Sequence, residues 1–156
     1  MSAPSRGRRR LLAGLICAPL AAVGPAQAKG ATRIEVYKSP TCGCCNDWID
    51  HVKADGFAVV AHDVGNNAAR ARLGMPSKYG SCHTAVVDGY VVEGHVPARD
   101  MRRLLKERPQ ALGLAVPNMP FGSPGMDGPK YGNKIEPYDV LLVLRDGSAR
   151  VFQSYR

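Results

Sequence analysis

The stretch Arg33-Ile34-Glu35-Val36-Tyr37-Lys38-Ser39-Pro40-Thr41-Cys42-Gly43-Cys44-Cys45 changes its periodicity within a few residues. Up to Lys38 apolar and polar residues alternate and β-formers dominate, which predicts a strand that stops at Ser39-Pro40. Beyond the cysteines, Trp48, Ile49 and Val52 follow at helical spacing until Asp55-Gly56 closes the pattern, which predicts a helix from Cys44 to Ala54. A strand is expected from Phe57 to Val64. Asn66 to Leu73 reads as a short helix ended by Gly74 and Met75-Pro76, with a polar loop to Ser81. From Cys82 the chain reads His83-Thr84-Ala85-Val86-Val87, Asp88-Gly89, Tyr90-Val91-Val92-Glu93, a β-hairpin with a favoured turn pair. Pro97 starts a helix to Glu107, with Met101, Leu104 and Leu105 on one face and a basic, solvated face elsewhere. Gly and Pro dominate from Gly113 to Pro137 with no period, and a loop of that length is usually functional or disordered. A last hairpin is expected from Tyr138 to Leu144 and from Ala149 to Tyr155. No internal repeat and no second domain are visible.

The order β, α, β, α, β-hairpin, α is that of the thioredoxin fold. The expected fold is therefore α/β, a thioredoxin-like βαβαββα core with a long Gly/Pro/Met loop and a C-terminal β-hairpin. In that topology the loop after the first strand lies beside the residue leading into the third. Here these positions hold Cys42-Gly43-Cys44-Cys45 and Cys82-His83, where thioredoxins place a cis-proline.

The 156 residues are 45% hydrophobic and 22% charged, which suits one compact domain and excludes a disordered or fibrous chain. The formal charge of +8 is misleading. Arg6, Arg8, Arg9 and Arg10 precede an apolar run from Leu11 to Gly24 and then Pro25-Ala26-Gln27-Ala28, the pattern of a cleaved signal peptide over residues 1–28. The run is well short of the roughly 20 residues that span a bilayer, so no stable membrane insertion is expected after cleavage. Arg8-Arg9-Arg10-Leu11-Leu12 also fits a twin-arginine signal, with general secretion as the other route. Removing four of the 21 basic residues leaves 17 against 13 acidic ones, a net +4 over residues 29–156, and gives no reason to expect nucleic acid. Cys17 departs with the leader.

Cys42, Cys44, Cys45 and Cys82 remain, in a chain bound for an oxidising compartment. Structural disulfides are one reading. Three of the four lie within four residues, however, so a bridge among them closes a tiny loop and removes little unfolded-state entropy. Cys42 and Cys45 have the C-x-x-C spacing that closes across the first turn of a helix. The helix N-terminus favours thiolate over thiol, and both a nucleophile and a metal ligand need the thiolate. Disulfide exchange and metal binding therefore both remain open. Cys44 has no part in a simple dithiol mechanism but enlarges a thiolate cage. His83 adds an imidazole, and the long loop holds Met119 and Met126 in polar, Gly-rich surroundings where a core role is hard to arrange, with simple hydrophobic anchoring of the loop as the other reading of both. Thiolate, thioether and imidazole together suit Cu(I), with zinc storage as an alternative. His51, His62 and His95 read as surface or hydrogen-bonded residues, with His95 the best spare ligand. Trp48 reads as core.

Ser39-Pro40-Thr41-Cys42-Gly43-Cys44-Cys45, Ser81-Cys82-His83-Thr84, Gly94-His95-Val96-Pro97 and Pro117-Asn118-Met119-Pro120 with Gly122-Ser123-Pro124-Gly125-Met126 resemble the CopG-like family of periplasmic copper-binding proteins. The similarity spans nearly the whole chain after the leader, with four motifs in order. It implies a thioredoxin-like fold, export to the periplasm of a Gram-negative bacterium, and copper handling or resistance with a proposed Cu(I)/Cu(II) oxidoreductase activity. It also implies partners among other periplasmic copper-resistance proteins. By that likeness Cys42, Cys44, Cys45, Cys82 and His83 are copper-site positions, with Met119 and Met126 carried over from their motif. The expected chemistry couples Cu(I) binding to reversible oxidation of Cys42 and Cys45. Two rivals are a metal-independent thiol-disulfide oxidoreductase, with Cys42 as nucleophile and Cys45 as resolver, and a non-redox copper or zinc carrier.

Overall fold

A computed structural model describes residues 30–156, so the leader expected over residues 1–28 lies outside the described residues. The architecture is mixed α/β. One seven-stranded sheet runs in the order β2-β1-β3-β4-β5-β6-β7, built from β1 (Arg33–Lys38), β2 (Ala58–His62), β3 (His83–Val87), β4 (Tyr90–Glu93), β5 (Gly113–Ala115), β6 (Tyr138–Val143) and β7 (Ala149–Tyr155). The helices are α1 (Gly43–Ala54), α2 (Asn67–Arg72) and α3 (Ala98–Glu107). β1 lies between β2, to which it is parallel, and β3, to which it is antiparallel. Alternation along β1 buries Ile34 and Val36, and α1 lays Cys45, Trp48, Ile49 and Val52 on the same core at the spacing of one helical stripe. Trp48 is fully buried and its indole N–H donates to the Val96 carbonyl at 2.9 Å, so α1 is fixed in depth as well as by packing.

The elements expected from the sequence are present with ends shifted by a residue or two. The Asp88-Gly89 turn has positive φ at both residues (48° and 84°), the primed geometry that matches strand twist. The segment from Gly113 departs from expectation, since it opens with a strand rather than a loop. β5 pairs parallel with β4 and antiparallel with β6, so the C-terminal hairpin continues the main sheet instead of standing apart. Only three residues long, β5 carries no readable period. Leu114 is fully buried, worth about 1.5–3 kcal/mol, and tertiary burial rather than propensity makes the strand. Gly113 is required for the close approach: a Cβ there would sit 1.7 Å from the Val91 carbonyl oxygen. The remainder of the loop is pinned rather than loose. Val116 N–H donates to the Glu93 carbonyl at 2.9 Å, Asn118 N–H to Gly80 at 3.2 Å and Glu136 N–H to Phe121 at 2.9 Å. Among the described residues no helix is long and apolar enough to cross a membrane.

Candidate metal centre

The β1–β3 register sets the site. Lys38, the last residue of β1, pairs with His83, the first of β3, so the turn after Lys38 meets the residue before His83. Cys42 is the N-cap of α1 and contributes no side-chain capping bond, which leaves the first-turn N–H groups and the positive end of the helix facing the sulfur atoms. The thiol and disulfide sulfurs of Cys42, Cys44, Cys45 and Cys82 all lie within 4.8 Å of one another. Cys42 and Cys45 form a disulfide, while Cys44 and Cys82 are free. Cys44 is the hub: its sulfur lies 3.5 Å from Cys42 Sγ, 3.8 Å from Cys82 Sγ and 4.0 Å from Met119 Sδ.

A second donor group shares Cys82. Its sulfur lies 2.9 Å from His95 Nε2 and 3.5 Å from His83 Nδ1, and Cys82, His83 and His95 form a compact set that could hold a metal ion. The Pro124 carbonyl lies 2.9 Å from His95 Nδ1. A carbonyl only accepts, so Nδ1 carries the hydrogen and Nε2 offers its lone pair to the Cys82 sulfur. Burial brings His95 down to about 4, so it is neutral and able to ligate at physiological pH. His83 is fully buried; burial, then the neighbouring His95, hold it well below the usual imidazole range. Its ring tilts against Trp48 at 4.2 Å, and its Nε2 is buried without a partner among the described residues. Burial, reinforced by Cys44, pushes the Cys82 thiol up to about 12. The helix start thus does not make every nearby sulfur a thiolate, and a cation binding at Cys82 must displace a proton.

The loop preceding Cys82 is held by a buried polar clamp. Glu93, fully buried at the end of β4, accepts from Arg70 Nε at 2.9 Å, from the Ser81 N–H at 2.8 Å and from the Thr84 hydroxyl at 2.6 Å. Arg70 also donates to the Ser81 carbonyl at 2.5 Å, and Asn66 donates there at 3.1 Å. Burial pushes the Glu93 carboxyl above the usual carboxylate range, against the pull of Thr84, Arg70 and the Ser81 N–H. The Ser81 hydroxyl donates to the Asn118 carbonyl, so the same clamp ties the segment of Met119 to that of Cys82.

Of the residues singled out from the sequence, Cys42, Cys44, Cys45, Cys82, His83 and Met119 come together. Met119 is partly exposed at the rim. Met126 is buried, and among the described residues no thiol donates to its sulfur. Its neighbour Gly125 instead presses the loop onto α1, at φ +87° with a notional Cβ 2.6 Å from the Cys44 carbonyl oxygen. His51 accepts from the Ala98 N–H at 3.1 Å and His62 stacks on Tyr37, as hydrogen-bonded and surface residues do. His95, read from the sequence as a spare ligand, is in contact with Cys82. Its position after Gly94 at a strand end was the available signal. Glu93 and Arg70 were missed, because a glutamate closing an apolar strand shows its burial only once Arg70 is placed beside it.

The family described as "Protein of unknown function, DUF411" matches residues 79–126, the segment from the approach to Cys82 through Met126. No curated protein matches the chain. Two solved structures, "Copper resistance protein copG- Form 2" and "Copper resistance protein copG- Form 1", are each 46% identical to it with a TM-score of 0.74. The first alignment covers 81% of this chain and 99% of the other, and the second 80% and 98%. At that identity, over nearly the full length of those proteins, this chain belongs to the CopG-like family.

Proposed function

We propose that this protein handles copper in the periplasm, in a thioredoxin-like domain exported from residues 1–28 onward. It binds Cu(I) through Cys42, Cys44, Cys45 and Cys82, with His83 completing the site and Met119 and Met126 as further sulfur ligands. One observation carries this reading: four cysteine sulfurs from two distant segments lie within 4.8 Å of one another. The printed names of the 46%-identical proteins support copper as the ion, and the sulfur-rich donor set favours Cu(I) over zinc. The β2-β1-β3-β4 order with β3 antiparallel to its neighbours supports the thioredoxin-like assignment. Reduction of the Cys42–Cys45 disulfide opens the full thiolate set. In the reverse direction the two thiols close to the disulfide, giving one electron to each of two Cu(II) ions and releasing two protons. Cys42 and Cys45 are then the reacting pair.

The test is Cu(I) titration of the reduced protein against a coloured competing chelator. Wild type withdraws copper from the chelator and the Cys42→Ser/Cys45→Ser variant does not; equal withdrawal by both would end the copper reading. The disulfide at the helix start favours a second reading, a thiol-disulfide oxidoreductase that works without metal. That reading requires turnover of a peptide disulfide by metal-free protein, with indifference to Cys44→Ser.

A further inference from the structure

The Cys42–Cys45 disulfide has a free thiol against it, and that thiol has another beyond. Cys44 Sγ is 3.5 Å from Cys42 Sγ and 3.8 Å from Cys82 Sγ, and neither Cys44 nor Cys82 is bridged. Cys45 is fully buried with its sulfur 3.6 Å from the Cys82 carbonyl, and Cys42 is the disulfide sulfur that Cys44 contacts. Thiol–disulfide exchange needs a thiolate aimed at one sulfur of an existing bridge, and this line of sulfurs supplies two such steps in succession.

We propose that Cys44 relays the disulfide from Cys42–Cys45 to Cys44–Cys82. In the first step the Cys44 thiolate attacks Cys42 Sγ. The Cys42–Cys44 bond forms, the Cys42–Cys45 bond breaks, and Cys45 leaves with the electron pair and takes up a proton. In the second step Cys82, a thiol at rest, sheds its proton and its sulfur attacks Cys44 Sγ. The Cys44–Cys82 bond forms, the Cys42–Cys44 bond breaks, and Cys42 leaves and is protonated. One disulfide and two thiols are present before and after, and the protons shed by Cys44 and Cys82 are recovered by Cys45 and Cys42. No outside oxidant or reductant enters. The product ties the start of α1 to the approach to β3, across a sequence separation of 38 residues. It also frees Cys42 and Cys45 as a dithiol without any electron from outside, so the chain keeps one oxidised pair and changes which pair it is. The relay needs no metal and goes beyond the copper reading.

Trypsin reads the two isomers apart. Cleavage after Lys38, Lys53, Lys78 and Arg99 leaves Cys42, Cys44 and Cys45 on one peptide and Cys82 on another. Oxidised wild-type protein is incubated metal-free with a chelator, blocked with N-ethylmaleimide and digested without reduction. The expected result is a disulfide-joined pair of these peptides, with fragmentation placing the bond at Cys44, and its loss in Cys44→Ser. No joined peptide in wild type overturns the relay, as does a joined peptide undiminished in Cys44→Ser. A second variant tests the Cys44–Cys82 bond by itself. Cys45→Ser, oxidised with glutathione disulfide and checked for fold by circular dichroism, is expected to give Cys44–Cys82 as its main bridge. Recovery of both Cys44 and Cys82 as maleimide adducts overturns the proposal. The experiment contains no copper, so its failure and a failed Cu(I) titration are distinguishable.

Discussion

Replacing Glu93 tests the idea that a buried clamp away from the sulfurs sets the position of Cys82. The Glu93 side chain is 0% exposed and that of Arg70 13%, so their attraction is poorly screened and neither can fall back on bulk water. Glu93→Gln keeps the shape and most acceptors, and the Thr84 hydroxyl can turn to accept from the new amide. The main loss is the charge facing Arg70, about 1.5–3 kcal/mol for a charged hydrogen bond. Glu93→Ala removes every acceptor and strands both Arg70 and the Ser81 N–H, at about 3–5 kcal/mol. For a domain of this size about 1 kcal/mol corresponds to about 3–5 °C in Tm, so the two variants fall by about 8 and about 15 °C. Thermal melts of the metal-free oxidised protein measure this. Alkylation of Cys82 under native conditions, read on its own tryptic peptide, reports positioning separately and is expected to speed up in Glu93→Gln while the fold persists. A Glu93→Ala cost under about 1 kcal/mol, or an unchanged alkylation rate, refutes the reasoning.

Three further outcomes are expected. His51, His83 and His95 are all held below the ordinary imidazole value, chiefly by burial, so the unfolded chain binds more protons than the fold, and stability present above about pH 6.5 is lost as pH falls. The two fully buried rings each contribute a slope of up to about 1.4 kcal/mol per pH unit below that value, and melts of metal-free protein at stepped pH should show it, flattened in His83→Asn. Gly125→Ala forces a side chain against the Cys44 carbonyl oxygen and the Trp48 N–H at positive φ, so it should cost about 1–3 kcal/mol in chemical denaturation and weaken Cu(I) retention together. Cys44→Ser removes the sulfur that contacts Cys42, Cys82 and Met119 together, and should cut Cu(I) affinity by at least about tenfold in chelator competition, whereas Met119→Leu at the exposed rim should cost less.

What could be read from the sequence followed from local signals. Alternation in Arg33–Lys38, the helical stripe through Trp48 and Val52, and the Asp88-Gly89 turn each carry their own structural cause, and together they fix the order that brings Cys82 to the cysteine motif. What escaped depends on partners far away in the chain. β5 is a strand because β4 and β6 flank it and Leu114 has a buried place to go, none of which shows in three residues. The Glu93 clamp needs Arg70, Ser81 and Thr84 at once, and a polar residue in an apolar run gives no sign of which donors will meet it. His95 lies between these cases: its motif made it visible, and only the fold set it against Cys82 rather than in solvent.

The chain's single tryptophan, shut away from water, leans on an imidazole that itself touches a cluster thiol. Its emission is thus expected to report on the cluster, dimming if a heavy or paramagnetic ion binds among Cys82, His83 and His95. Occupancy can be followed in real time on unlabelled material, from the first purification fraction onward.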